Sequence, residues 1–385
     1  MIRSTRALFL IALVFSATGC GIFNRDRDAD EGPADLVDFD ASLQVERLWS
    51  TGLGAGINRS RPSFRPVVAD DRIWVGDHRG RISAVGVESG RVIRRFDTGL
   101  DLSAGPAVFD DLLLAGTFDG DLVALNAETG DVRWKARLSS EILSYPVLHD
   151  GVIVVRCIDG RTFGIDPADG RRLWVHDRSV PLLTLRGNSD PLVRAGQVFI
   201  GYDNGTVAAL RVNDGSVLWE QRVSVPEGRT ELERLADIDG PMAIVGTDLY
   251  VVTYRGRMAS LAIESGRILW VKDVASHSGI SLQRTQLTAV DRDDAVWMID
   301  RRNGSTLWRE DRMARRGLSR PVFVGDHIVT VDMEGYMHWL DAANGNFVAR
   351  VRPTRSAPSS APVVVGNTVY VLDESGTLSA WRARR

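Results

Sequence analysis

The sequence has few of the residues that build disulfide, metal or nucleic-acid sites. Only 2 of its 385 residues are cysteine, which excludes a disulfide framework and a multi-cysteine zinc site. Its 47 Lys and Arg nearly balance 50 Asp and Glu, so it lacks the basic face that nucleic-acid binding requires. The 6 histidines show no metal-ligand spacing, and no G-x-S-x-G motif occurs. We therefore expect no catalytic residue, no metal and no cofactor.

The sequence also lacks an apolar run long enough to cross a membrane. Residues 7–14 are continuously apolar, well short of the ~20 residues that a spanning helix needs. Arg3 and Arg6 precede this run and small residues follow it, which predicts a secretory signal peptide over residues 1–19. Residues 17–20, Ala-Thr-Gly-Cys, resemble a bacterial lipobox, which implies lipidation of Cys20. The alternative is an ordinary cleaved signal with an incidental cysteine.

The segment after Cys20 is rich in aspartate and has no apolar periodicity. It buries too little surface to offset its ordering entropy, so residues 20–42 are predicted to be a flexible acidic tether. Gly21, rather than Asp, follows the cysteine, which by the same resemblance favours sorting to the outer membrane. The predicted organisation is a signal peptide (1–19), a lipidated tether (20–42) and one folded domain (43–385).

Glycine and tryptophan are plentiful, with 37 and 10 residues, and both recur with a period near forty. A first turn position recurs eight times, and in seven units a glycine follows ten residues later. In five units a Trp comes four residues after that second glycine. The first turn positions are Gly80, Gly120, Gly160, Gly205, Gly256, Asp294, Gly335 and Gly376.

The segments between these turns are short alternating or apolar runs, which predict β-strands. Four strands per unit and eight units predict an all-β, eight-bladed β-propeller of antiparallel blades. The last unit lacks a fourth strand, and the spare strand at residues 45–49 is expected to complete it by pairing with residues 376–382. We interpret most of the Trp residues as anchors that pack one blade on the next.

Two units are longer than the others, with first turn positions 45 and 51 residues apart. Their inserts, residues 180–187 and 225–240, are predicted to be neighbouring loops on one face of the array, often the binding face. The first offers Leu183, Leu185 and Arg186, a composition typical of an interface anchor. The second offers the carboxylates Asp237 and Asp239. Alternatively, Arg186 and one aspartate pair to stiffen the loops, and both roles are compatible.

The repeated Ala-x-x-Gly-x-x-x-Trp pattern resembles the quinoprotein-type propeller repeat. Together with the lipobox, the tether and the motifs at residues 183–187 and 234–239, it resembles the BamB-like lipoproteins of the outer-membrane β-barrel assembly (BAM) machinery. Departures are Ala17, Asp294 and the missing Trp of blades one and seven.

This resemblance implies a non-catalytic scaffold at the periplasmic face of the cell outer membrane, a monomer within a hetero-complex. It implies that the two loops contact a BamA-like assembly protein through its POTRA domains, using Leu183, Leu185, Arg186, Asp237 and Asp239. Unfolded outer-membrane proteins are the further expected partners, and addition to exposed strand edges would be one way to bind them.

Two other classes of protein are alternatives, because a propeller built from this repeat is compatible with each of them. A quinone-dependent dehydrogenase resembles this chain in its propeller but carries a vicinal cysteine pair, and Cys157 is the one internal cysteine here. The tryptophan content leaves open a third function, a propeller that binds a sugar or a peptide. We expect Cys157 to be a small core residue.

Overall fold

The computed structural model describes residues 32–54, 64–181, 183–184, 189–225, 229–230 and 235–384. Its regular elements are 32 β-strands, which form eight four-stranded antiparallel sheets. The prediction of an all-β, eight-bladed propeller is confirmed. Within the described part of the chain, no helix has the length and apolar character needed to cross a bilayer. The signal peptide and Cys20 lie outside the described residues.

The first four blades each use four consecutive strands. Their bounds are β2 Val67–Ala69, β3 Arg72–Gly76, β4 Arg81–Gly86 and β5 Val92–Asp97 in blade one; β6 Leu102–Phe109, β7 Leu112–Thr117, β8 Asp121–Asn126 and β9 Val132–Arg137 in blade two; β10 Val147–His149, β11 Val152–Arg156, β12 Thr162–Ile165 and β13 Arg172–His176 in blade three; and β14 Leu192–Arg194, β15 Gln197–Gly201, β16 Thr206–Arg211 and β17 Val217–Arg222 in blade four.

Blades five to seven repeat this order, and blade eight combines the two ends of the domain. The bounds are β18 Ala243–Val245, β19 Asp248–Val252, β20 Met258–Ala262 and β21 Ile268–Lys272 in blade five; β22 Ile280–Gln283, β23 Gln286–Val290, β24 Val296–Asp300 and β25 Thr306–Glu310 in blade six; β26 Val322–Val324, β27 His327–Val331, β28 Met337–Asp341 and β29 Phe347–Val351 in blade seven; and β30 Val363–Val365, β31 Thr368–Leu372, β32 Thr377–Ala383 and β1 Val45–Gly52 in blade eight.

The ring closes where β1 pairs with β32. Val45 lies opposite Ala383 and Gly52 lies opposite Thr377, in antiparallel register with one irregularity between Arg47 and Trp49. The predicted pairing of the N-terminal strand with the last segment of the chain is confirmed. Closure hides the edge of β32, which would otherwise be free to pair with another chain.

The first strands of neighbouring blades contact one another, for example β10 with β14 and β22 with β26, so they surround the axis. The fourth strands form the outer rim. Because connections alternate between the two ends of antiparallel strands, one face carries the blade-to-blade connections and the turns between second and third strands. We name it the loop face. The other two turns of each blade lie on the opposite face.

All eight first turn positions have the positive φ that favours glycine, with values between 63° at Asp294 and 141° at Gly256. The exception in sequence, Asp294, has φ of 63°. Its carboxylate accepts hydrogen bonds from the backbone N–H groups of Gly317 (2.7 Å) and Leu318 (3.0 Å). The aspartate therefore ties its turn to the next connection, and blade six keeps its geometry despite the departure from glycine.

The recurrent Trp residues pack between blades, as the sequence predicted. Trp174 of blade three covers Gly215 of blade four, where a Cβ atom would lie 2.5 Å from the indole. Its Nε1–H donates to the carbonyl of Val212 at 2.7 Å. The same covering arrangement joins four further pairs: Trp134 with Gly170, Trp219 with Gly266, Trp270 with Gly304, and Trp308 with Gly345.

Residues 34–43, which we name the strap, pack on blades six and seven, although the sequence assigned most of them to the tether. Phe39 stacks on Phe347 with ring centroids 5.5 Å apart, and Val37 joins the same apolar cluster. The Ala34 carbonyl accepts a hydrogen bond from Arg316 at 2.7 Å. Apolar residues at alternate positions among the aspartates give the strap one face that packs against the propeller.

Candidate partner-binding site

The two long inserts are the connections on either side of blade four. The first joins β13 to β14 and the second joins β17 to β18, so both lie on the loop face. The two connections converge at the end of β15: Ser189 Oγ, just after the first insert, donates to the Gly201 carbonyl at 3.3 Å, and Ile238 of the second insert packs against Gly201. Among the described residues, the structure thus brings the C-terminal ends of these two connections together.

The first insert presents an apolar side chain to solvent. Leu183 is 39% exposed, as a residue that anchors a partner must be in the unbound protein. Leu185 and Arg186 lie outside the described residues. The predicted pairing of Arg186 with an aspartate therefore stays a prediction.

The C-terminal part of the second insert, residues 235–238, is buried and is not an exposed acidic loop. Leu235, Ala236 and Ile238 are all buried, and Ile238 enters the core between blades four and five. Asp237 is completely buried, and its carbonyl accepts a hydrogen bond from the Tyr254 N–H at 2.9 Å. This burial favours the alternative in which the Asp237 carboxylate supports the loops instead of facing a partner.

Asp239 is the more accessible of the two predicted carboxylates, although it too is largely enclosed. Neither of its carboxyl oxygens has a hydrogen-bond partner among the described residues. Burial, followed by the charges of Asp237 and Asp203, raises the pKa of Asp239 to about 8, with Arg156 opposing the rise. At neutral pH this side chain is mostly a neutral carboxylic acid, which can donate a hydrogen bond.

A buried ion pair beneath the loops was not predicted from the sequence. Arg156, at the end of β11, donates to the Gly201 carbonyl (2.7 Å) and to Asp203 Oδ1 (2.7 Å). Its side chain is fully buried, and that of Asp203 is 3% exposed. The pair joins blades three and four at the same end of β15 that both inserts contact. An arginine closing the apolar run of β11 was the available signal, since such a charge needs a buried partner.

The other sequence candidates for chemistry are structural. Cys157 is a buried free thiol in the core cluster of blades two and three, as expected, and burial raises the pKa of that thiol. Among the described residues, no group of three His, Cys, Asp or Glu side chains is arranged to hold a metal ion.

Comparison with known proteins places these features in context. A family model described as "Outer membrane protein assembly factor BamB" matches residues 78–310 and 299–385. The outer membrane protein assembly factor BamB of Alkalilimnicola ehrlichii is 45% identical over 377 residues, covering 98% of this chain and 97% of that protein.

Two solved structures extend the comparison. The crystal structure of BamB from Moraxella catarrhalis matches with a TM-score of 0.79 at 26% identity, covering 88% of this chain and all of that one. A quinohemoprotein alcohol dehydrogenase from Pseudomonas putida HK5 matches with a TM-score of 0.71 at 12% identity, covering 89% of this chain and 76% of that one. The similarity to the dehydrogenase is one of fold alone.

Proposed function

The chain belongs to the BamB family of outer membrane protein assembly factors, and from this premise we propose that it docks through its two inserts on the central assembly protein of that machinery. It is a non-catalytic assembly factor. The proposed partner is a BamA-like protein, contacted through its POTRA domains. The contacts of Ser189 and Ile238 with Gly201 carry the proposal, because they hold the ends of the two connections together although these are distant in sequence.

The described contacts support a surface that is stiff before it binds. Ile238 anchors the second insert in the core, and the Arg156–Asp203 pair fixes the strand end beneath both loops. A preorganised loop loses less conformational entropy on association. Leu183 supplies the exposed apolar contact, with Leu185 and Arg186 proposed beside it. We assign Asp237 to loop support and Asp239 to the rim of the contact.

We also propose that Cys20 carries a lipid that anchors the chain at the periplasmic face of the outer membrane. The lipobox-like residues 17–20 and membership of an outer membrane assembly family support this anchor. Mass spectrometry of the membrane-extracted protein tests it, since a diacylated N-terminal cysteine changes the mass of the first peptide. An unmodified peptide beginning at Cys20 would contradict the proposal.

For unfolded outer-membrane proteins, the outer strands offer an edge to which an extended chain can add. Their outward side chains are partly apolar, with Val132 58%, Val217 47% and Leu307 50% exposed. These residues lie on β9, β17 and β25, so the same surface recurs around the rim. We propose that it holds extended substrates weakly while the loops hold the assembly protein.

Co-purification from detergent-solubilised membranes tests the docking site. Leu183→Ala combined with Leu185→Ala, and separately Arg186→Ala, should reduce recovery of the assembly protein at least tenfold. Leu269→Ala is the matched control, because Leu269 is equally exposed (38%) but lies on the outer strand of blade five. Recovery that is unchanged in the insert variants, or lost equally in the control, would refute the site.

A further inference from the structure

A cavity of about 620 Å³ opens on the loop face, where the first strands of the blades begin. Residues from seven blades, or from the connections that lead into them, line it, which places it at the mouth of the central channel. Asp190 and Asp239 line it from the ends of the connections on either side of blade four, Arg65 from blade one and Arg320 from blade seven. The volume is within the range of small-molecule sites in proteins, about 300–1,000 Å³.

One of the two arginines is held by its own partners. Arg65 pairs with Asp190, and its guanidinium lies 3.8 Å from the centroid of the Tyr145 ring. Asp190 in turn accepts a hydrogen bond from the Tyr145 N–H at 2.6 Å. These contacts neutralise Arg65 and fix its position.

Arg320 differs, because no carboxylate pairs with it in the described part of the chain. Its Nη1 donates to Ser281 Oγ at 2.6 Å and, more weakly, to the Ile280 carbonyl at 3.5 Å. Burial, followed by repulsion from Arg65, lowers the pKa of Arg320 to about 10, so it remains a cation at neutral pH. A partly buried cation that lines a cavity and lacks a carboxylate partner is a candidate for ligand binding.

The surroundings define the charge and character of that ligand. Arg65 and Arg320 against Asp190 leave one net positive charge in the cavity, because Asp239 is mostly protonated at pH 7. A single excess charge suits a monoanion better than a dianion. The rest of the wall is mainly apolar, including Leu143, Leu192, Met242 and Val363.

We propose that this cavity binds a monoanionic carboxylate carried on an apolar body, with Arg320 as its counter-ion. The carboxylate would accept hydrogen bonds from the guanidinium N–H groups of Arg320 that face away from Ser281, while the apolar body packs on the leucine and methionine wall. Such a carboxylate occurs on small apolar acids and at the C-terminus of a polypeptide. The inference goes beyond the docking proposal and does not depend on it, because the assembly protein takes no part.

The test uses the full chain extracted in a non-ionic detergent, with N-acetyl-leucyl-leucine as the probe. Isothermal titration at pH 6.5 should show binding of the free carboxylate and at least tenfold weaker binding of its C-terminal amide. Sulfate should bind more weakly than the carboxylate probe. Equal binding of acid and amide, or tighter binding of sulfate, would overturn the proposal.

Substitution of Arg320 separates a ligand role from a structural one. Arg320→Met should weaken binding of the carboxylate probe at least tenfold and leave the melting temperature unchanged or higher, since a partly buried charge without a carboxylate partner is removed. Arg352→Met is the matched control. Like Arg320, Arg352 has no carboxylate partner among the described residues and donates to a backbone carbonyl, that of Glu334. It lies outside the cavity, so probe binding should persist.

If Arg320→Met does not fold, Arg320→Gln serves instead, because its amide can still donate to Ser281. Undiminished binding by the folded variant overturns the proposal. Extending the probe by four N-terminal residues then identifies the source of the carboxylate. Tighter binding assigns a polypeptide C-terminus, and weaker binding assigns a small apolar acid.

Discussion

The indole nitrogen of Trp49 donates a hydrogen bond of 3.0 Å to the carbonyl of Val87, 38 residues away in sequence. The same indole covers Gly90 and lies 5.8 Å from the ring of Tyr370. Trp49 therefore joins blade eight, to which β1 contributes, with blade one. The N-terminal strand thus supplies both the missing fourth strand of blade eight and its interblade anchor.

Trp49→Ala should lower the free energy of unfolding by about 3 kcal/mol, since it removes a large half-buried side chain at the closure. Trp49→Phe keeps a ring over Gly90 but loses the N–H donor, and should cost about 1 kcal/mol. Urea unfolding followed by fluorescence and by far-UV circular dichroism measures both. A Trp49→Ala variant as stable as the wild type would show that the closure does not depend on this residue.

The covering of turn glycines by indoles can be isolated with a matched pair of substitutions. Gly215 (φ 71°) and Gly151 (φ 74°) have nearly the same backbone conformation. A Cβ atom at Gly215 would lie 2.5 Å from Trp174, whereas nothing lies within 4 Å of one at Gly151. Gly151→Ala should therefore cost about 1 kcal/mol for backbone strain alone, and Gly215→Ala about 3 kcal/mol, with overpacking added.

Equal losses of unfolding free energy in these two variants would contradict the packing role of the indole. Trp174→Ala combined with Gly215→Ala provides a further check. The Cβ atom then meets empty space, so the two changes should be less than additive.

The periodic part of the fold was readable from the sequence because each blade repeats the same turn and strand chemistry. Gly80, Gly120 and their equivalents need positive φ, and a residue type fixed by backbone conformation recurs visibly. The adjacency of the two inserts followed from the repeat count as well. Burial of Asp237 did not, because it depends on how Ile238 packs between blades four and five.

What replaces the missing Trp in blades one and seven could be identified only from the three-dimensional structure. In blade one, Phe96 covers Gly130, with a Cβ–ring distance of 2.5 Å. In blade seven, Ala349 occupies the Trp position and packs in a cluster with Trp381. Blade eight has no turn between β32 and its fourth strand, because β1 comes from the other end of the domain. A Trp in blade seven would therefore have no turn glycine to cover.

Asp239 should make stability fall as the pH rises. Its pKa is raised to about 8, by burial first and then by Asp237 and Asp203, whereas an unfolded Asp titrates near 4. Between about pH 4 and pH 8 the folded state therefore binds one more proton than the unfolded state. The free energy of unfolding that this proton contributes is lost as the pH rises through that window.

Asp239→Asn keeps the neutral form at every pH. Relative to this variant, the wild type should lose about 4 kcal/mol of unfolding free energy between pH 5 and pH 8.5. Urea unfolding of both proteins at a series of pH values measures the difference. A difference that is constant across the window would show that Asp239 is ionised in the folded protein.

The strap offers the last test, because its attachment rests on a few contacts. Val37 and Phe39 pack on the cluster that contains Met313 and Phe347, and Arg350 lies 5.0 Å from the Phe39 ring centroid. Val37→Ala combined with Phe39→Ala should remove about 2 kcal/mol of local stability. Local opening, rather than global unfolding, is expected, since β1 remains paired with β32.

Hydrogen exchange measures that opening directly. The N–H groups of Ala34, Ser42 and Leu43 donate to backbone carbonyls of blades six and seven, so their exchange should accelerate roughly tenfold or more in the double variant. Asp40→Ala is the control, because Asp40 is an exposed residue of the same segment and its loss should leave exchange unchanged. If the double variant protects these amides as well as the wild type does, the three backbone hydrogen bonds and Arg316 hold the strap without the apolar contacts.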